Sequence, residues 1–197
     1  METFELVLVR HGFSLGNEQG LLSGWSDVPL TQRGREELRM LRRTVDYPVT
    51  DRYYSSDLVR CRDTFDELYG GRAKLDGLRP EFREIHFGSL ENRRGTPEEF
   101  AAFFRAWLAG TPVADEESRA AFAARARRAV RDLVQECLGE GAHSATVVTH
   151  SCFIRTLLVE LNHWPDERWR TTEAPNGRGY VLQMDATGTV LVSFRPI

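Results

Sequence analysis

The chain has only three cysteines, Cys61, Cys137 and Cys152, and they are widely spaced with no Cys-x-x-Cys pair. This excludes a disulfide framework or a cysteine zinc site and reads as reduced thiols. Long apolar runs are missing too. No stretch is long enough to cross a bilayer, and no basic leader precedes the first apolar run, so the expected setting is the cytoplasm, with no membrane partner. Positive charge is not in excess either. A formal net charge of -3 and a pI near 6.0 argue against a nucleic-acid partner, because phosphate backbones select strongly basic faces. Any anion site must therefore be local. Repeats, low-complexity tracts and linker-like stretches are absent, which leaves a single domain over residues 1–197 as the expectation. With 41% apolar and 28% charged residues, such a domain can bury a sizeable core.

What is present centres on Phe4-Glu5-Leu6-Val7-Leu8-Val9-Arg10-His11-Gly12, an apolar, β-branched run that ends in a basic pair and a glycine. A short run of this kind suits a central parallel strand with both faces covered. Ligands in α/β proteins bind at the carboxyl ends of such strands. Arg10 offers a permanently charged planar fork suited to a carboxylate or phosphate, and His11 can act as nucleophile, acid, base or ligand.

Residues 15–29 read as a loop holding Gly16, Gly20, Gly24 and Trp25, after which Thr31 caps a helix to about Val45. Arg52 to Ser56 reads as a strand, with Ser56 or Asp57 capping a helix that carries Leu58, Cys61, Phe65 and Leu68 on one face. Ala73 to Leu78 reads as an edge strand and 79–92 as irregular. Thr96-Pro97-Glu98-Glu99 is a capping box opening a helix rich in Phe100, Phe103, Phe104 and Trp107. A longer helix spans about Ser118 to Leu138. Ala145 to Thr149 is a second buried strand ending in histidine, His150, with Ser151 as the expected cap of the next helix. After a loop at 163–177, Tyr180 to Met184 and Val190 to Phe194 form an expected hairpin. The pattern implies a three-layer α/β/α sandwich with a mostly parallel central sheet.

Taken together, the motifs resemble the histidine phosphatase superfamily, the phosphoglycerate mutase-like family, over nearly the whole chain. The resemblance rests on Arg10-His11-Gly12 with Ser14 and Asn17, Pro29-Leu30-Thr31 with Gly34, and Ser55-Ser56-Asp57-Leu58-Val59-Arg60. It continues through Glu84-Ile85-His86-Phe87-Gly88 and Val147-Val148-Thr149-His150. Five motifs in order are far more specific than one.

By that resemblance His11 is the expected nucleophile, forming a phosphohistidine that water hydrolyses. Arg10, Arg60 and His150 are expected around the phosphoryl group with Asn17 as a neutral donor, and the helix after His150 adds amides at its positive end. Glu84 matches the proton donor to the leaving oxygen and later the base for the incoming water, and His86 is expected to support the site from behind its contacting residues and not to take part in the chemistry. Ser14, Ser23 and Gly24 match substrate-contacting loop positions. Ser151 stands where glycine usually follows the second histidine, and either adds a donor or narrows the pocket. Phe13, Gly16 and Asn92 also depart from the pattern. Neither His143 nor His163 belongs to a sequence cluster with metal-ligand spacing, so no metal and no cofactor is expected.

The implied activity is hydrolysis of a small-molecule phosphomonoester, with phosphoglycerate mutase, α-ribazole phosphatase and a non-catalytic phosphate-binding scaffold as alternatives. Mutases of the family usually carry tyrosine at the Phe87 position and lysine at the Gly95 position, and have an arginine-bearing insertion for which this chain is too short. Segment 92–115 is a candidate lid. Its Arg93, Arg94 and Arg105 could meet a second anion while its aromatics stack on a sugar, nucleoside or ribazole-like body, or the aromatics could simply be buried and the arginines solvated. The expectation is broad specificity. Homo-oligomer formation is left open.

Overall fold

In the computed structural model, which describes residues 3–197, alternating strands and helices close into three layers. The strands are β1 (Thr3–Arg10), β2 (Arg52–Ser55), β3 (Gly77–Leu78), β4 (Ser144–Thr149), β5 (Gly179–Asp185) and β6 (Leu191–Pro196). They form one sheet in the order β3-β2-β4-β1-β5-β6, with β1 to β4 parallel and β5 and β6 joined on antiparallel.

The apolar run of β1 is continuous because both of its faces are buried. Phe4, Leu6 and Leu8 point to one side with Ala145, Val147, Leu182 and Met184, and Val7 and Val9 point to the other with Val148 and Val181. The first side is covered by α4 (Pro97–Leu108), α5 (Arg119–Gly139), α6 (Ser151–Leu161) and the short α7 (Glu167–Thr171). On the second side lie α2 (Gln32–Thr44) and α3 (Val59–Tyr69), which contribute Leu38, Cys61, Phe65 and Leu68. Burying one such side chain stabilises the fold by roughly 1.5–3 kcal/mol, so these two cores dominate its stability. No helix among the described residues is long and apolar enough to cross a membrane.

Helix starts follow the expected chemistry at three places. The Thr31 hydroxyl accepts from Gly34 N at 2.9 Å, Ser118 caps α5, and Thr96 and Glu99 form the reciprocal capping box of α4. At α3 the expectation fails: neither Ser56 nor Asp57 caps it. Asp57 is taken by Arg83, and the free Val59 N–H donates instead to Asp27 Oδ1 at 2.6 Å. The stretch read as loop at 15–29 contains a short helix, α1 (Leu15–Gln19), and the loop at 163–177 contains α7. The edge strand is only two residues long.

Arg10 is the register partner of Thr149. His11 and His150 therefore leave neighbouring parallel strands at the same end of the sheet.

Candidate active site

The tautomer of His11 is set by its own turn. Its Nδ1 lies 2.8 Å from the Gly12 carbonyl, which can only accept, so Nδ1 carries the proton and Nε2 keeps its lone pair. The turn is held by Gly12 N donating to Thr64 Oγ1 at 2.8 Å, by His11 N donating to Thr149 O at 2.9 Å, and by Asn176 donating to His11 O at 2.9 Å. Burial, reinforced by Arg60 and Arg10, holds the His11 pKa well below its ordinary value. These surroundings favour the neutral ring, with the Nε2 lone pair free.

Two guanidinium groups face the same cleft. Arg10 donates through Nη1 to Ala174 O at 2.7 Å, while its Nε is buried with no protein partner. Burial lowers its pKa to about 10, a cost that an anion in the cleft would offset. Arg60 is 2% exposed and reaches the cleft from the first turn of α3. Its Nη1 donates to Ser26 O at 2.8 Å and its Nη2 to Gly24 O at 2.7 Å. Both charges are held by fixed carbonyls, so they need no reorganisation to meet a phosphoryl group.

Glu84 closes the cleft from the third side. One carboxylate oxygen accepts from Ile85 N at 3.2 Å, and the other from Cys152 N at 3.1 Å and Ser151 Oγ at 3.4 Å. Glu84, and not Ser151, therefore supplies the capping oxygen at the start of α6, whose N-cap position is His150. The Cys152 amide, expected to face a phosphate, is engaged by this carboxylate. Ser151 does add a donor, directed at Glu84.

The Glu84 backbone is pinned from two directions. Trp25 Nε1 donates to its carbonyl at 2.9 Å, and Arg125 Nη2 does the same at 2.9 Å while also holding the carbonyls of Glu81 and Arg83. Glu91 ties the loop under Arg60 to this segment: it accepts from Trp25 N at 2.8 Å, Ser26 Oγ at 2.7 Å and Phe87 N at 3.3 Å. Gly24 has φ 45°, and a Cβ there would come within 2.5 Å of Glu91 Oε1 and 2.9 Å of Ile85 O. Asn92, where the family usually has glycine, adopts φ 60° and donates to Ser26 Oγ at 2.9 Å. Asparagine is among the residues that tolerate this left-handed conformation.

Asn17 is oriented by its neighbours. Its amide oxygen accepts from Ser14 N, Ser14 Oγ and Asn176 Nδ2, which turns its NH2 group into the available donor. Ser14 itself is spent as the cap of α1. Arg10, His11, Ser14, Asn17, Ser23, Gly24, Arg60, Glu84 and Ser151 all line one cleft of about 270 Å³. His150 lies behind it, fully buried, with its ring 5.2 Å from His11, Nδ1 3.2 Å from Arg60 Nη2 and Nε2 3.0 Å from Ser56 Oγ. Because Arg60 only donates, Nδ1 accepts and Nε2–H donates to Ser56. His86 stands outside, packed edge-on against Trp25. Phe13 also points away, under the Arg33 guanidinium.

Sequence reasoning brought the charged cleft residues together but missed Trp25, Glu91, Arg125 and Asn176. Their roles are contacts to backbone groups of distant segments, which leave no local pattern. Among the described residues, no group of three or more His, Cys, Asp or Glu side chains is arranged to hold a metal ion.

The comparisons agree with this geometry. The chain is 30% identical over 162 residues, covering 81% of it and 80% of its relative, to an adenosylcobalamin/alpha-ribazole phosphatase of Salmonella typhimurium. It is 29% identical over 193 residues, covering 93% and 87%, to a 2,3-bisphosphoglycerate-dependent phosphoglycerate mutase 2 of Gloeobacter violaceus. A mycobacterial glucosyl-3-phosphoglycerate phosphatase superposes with TM-score 0.77 at 25% identity, over 99% of this chain and 97% of that one. The family model of the histidine phosphatase superfamily (branch 1) matches residues 6–196, and with the Arg10-His11-Gly12 turn at the end of β1 this places the chain in that superfamily.

Proposed function

We propose that the protein is a phosphomonoesterase working through a phosphohistidine on His11. The observation that carries this is the fixed tautomer of His11, with Nε2 unprotonated in a cleft shared with Arg10, Arg60 and Glu84. In the first step Nε2 forms a bond to phosphorus as the ester P–O bond breaks, and the leaving oxygen takes a proton from the Glu84 carboxyl. In the second, the Glu84 carboxylate accepts a proton from water as the water oxygen attacks phosphorus and the P–N bond breaks. Inorganic phosphate leaves, and both groups return to their starting states.

In this cycle Glu84 serves first as general acid and then as general base. Charge on the equatorial oxygens meets Arg10, Arg60 and the Asn17 amide. Two fixed guanidinium groups supply the neutralisation that a metal provides elsewhere, so we propose a metal-independent reaction.

Likeness to a phosphoglycerate mutase supports a second reading, transfer of the phosphoryl group back to a bound glycerate. Phe87 and Gly95 stand where mutases of the family usually carry tyrosine and lysine, which favours hydrolysis. The test is incubation with 3-phosphoglycerate and a trace of 2,3-bisphosphoglycerate beside a panel of phosphomonoesters that includes α-ribazole phosphate. Phosphate release from panel members that carry no second anion is expected. Fast isomerisation without phosphate release would overturn the proposal.

A further inference from the structure

The cleft is divided by chemistry. Its charged end carries Arg10, His11, Asn17, Arg60 and Glu84, with Ser14, Ser23, Gly24 and Ser151 as further uncharged lining, whereas Leu21, Leu22, Phe87, Phe100 and Phe104 with Cys152 make an apolar wall. Resting on the phosphomonoesterase reading above, we infer that the site selects esters whose alcohol is an uncharged apolar or aromatic body and rejects those bearing a second anion.

The cations decide the matter. Arg10 and Arg60 are the cationic side chains of the cleft wall among the described residues, and both are tied to carbonyls at the charged end. The arginines that sequence offered for a second anion lie elsewhere. Arg93 and Arg94 line a separate hollow, with Arg94 Nε bound to Gln19 O at 2.9 Å, and Arg105 is exposed outside the cleft. Arg155, the next cation along α6, donates to Thr172 O and lies over Trp169. A carboxylate or second phosphate on the substrate would thus enter without a partner and against ring faces, whose electrostatic sign is also negative.

The apolar wall cannot turn aside to admit one. Phe104 is wedged among Phe103, Phe87 and Trp169 at ring separations of 5.1, 6.2 and 5.1 Å, and Phe103 is buried in the core beneath it. Phe100 and Leu22 have a further role. They form the partition between the cleft and the neighbouring hollow of about 340 Å³, which lies between residues 90–95 and α4. Removing the Phe100 ring joins the two spaces, so the size limit on the alcohol is set at that position.

The test compares 4-methylphenyl phosphate with 4-carboxyphenyl phosphate, which share the aryl frame and differ at the para group. The carboxyphenolate is the better leaving group, so intrinsic reactivity favours the charged compound. We expect kcat/KM to favour the methyl compound by about tenfold or more, the scale of leaving a charged group unpaired in a binding site. Phe100→Lys should narrow or reverse that ratio, and Phe100→Ala should raise kcat/KM for naphthyl phosphates relative to phenyl phosphate. Equal or faster turnover of the carboxylate by the unmodified enzyme overturns the inference, whatever the variants do. Failure to hydrolyse either compound removes the phosphatase reading itself and this inference with it, whereas brisk, indiscriminate hydrolysis removes only the specificity.

Discussion

Glu91 does not line the cleft, yet its replacement by alanine should damage catalysis more than its position suggests. The carboxylate accepts from Trp25 N, Ser26 Oγ and Phe87 N, and the Gly24 and Ser26 carbonyls in the same loop hold the two arms of Arg60. Hydrogen bonds to a charged acceptor contribute about 1.5–3 kcal/mol each, but Trp25 is at the surface and the set acts together, so the loss is roughly 3 kcal/mol. For a domain of this size that is about 6–12 °C in Tm. The catalytic loss follows from Arg60 losing its register, since a displacement of about 1 Å in a positioning group costs on the order of a hundredfold. The assay is kcat on an aryl phosphate well below the melting temperature, beside thermal denaturation. Val134→Ala, in the core beside Gly188 at the opposite end of the sheet, should lower Tm without comparable loss of kcat, and Glu91→Gln, which keeps an acceptor, should recover most of both. An alanine variant with unchanged kcat would refute the reasoning, even if it melted early.

Three further outcomes are expected. Glu84→Gln should slow alkyl phosphates far more than aryl phosphates with good leaving groups, because only poor leaving groups need the proton; equal losses in a kcat comparison would assign Glu84 another task. His11 and His150 both have pKa values depressed well below the ordinary 6.5 by burial and neighbouring arginines. Below that pH the unfolded chain binds protons that the folded one excludes, so stability should fall by about 1.4 kcal/mol per histidine per pH unit, while His11 stays neutral and activity persists. Denaturant titrations at pH 5 and 7 read the first effect, and a rate profile lacking a break at pH 6.5 reads the second. Exhaustive treatment with EDTA should leave kcat unchanged, as Arg10 and Arg60 already carry the charge; loss restored by added divalent metal would contradict that.

Much of this was legible because single residues announce their neighbours when they sit on strongly patterned elements. The buried runs at 4–9 and 145–149 fixed β1 and β4 as central strands, and their shared histidine ends located the cleft. Caps were legible where the hydroxyl had no better partner, as at Thr31 and Thr96. They failed where tertiary partners won: Ser56 is drawn to His150, Asp57 to Arg83, and the start of α6 to Glu84. The apolar end of the cleft was half legible. The aromatic residues of 92–115 do face the cleft through Phe100 and Phe104, but only the folded chain shows that Arg93, Arg94 and Arg105 of the same segment stand outside it.

Trapping decides whether a covalent phosphoryl group forms on His11. The enzyme is mixed with a fast aryl phosphate, quenched within milliseconds under alkaline conditions that preserve phosphohistidine, and mapped by mass spectrometry. One phosphoryl group is expected on His11, acid-labile, formed in a burst with the aryl alcohol, and absent from His11→Ala. Turnover with no phosphoenzyme, or a phosphoryl group on another residue with His11→Ala still active, would contradict it.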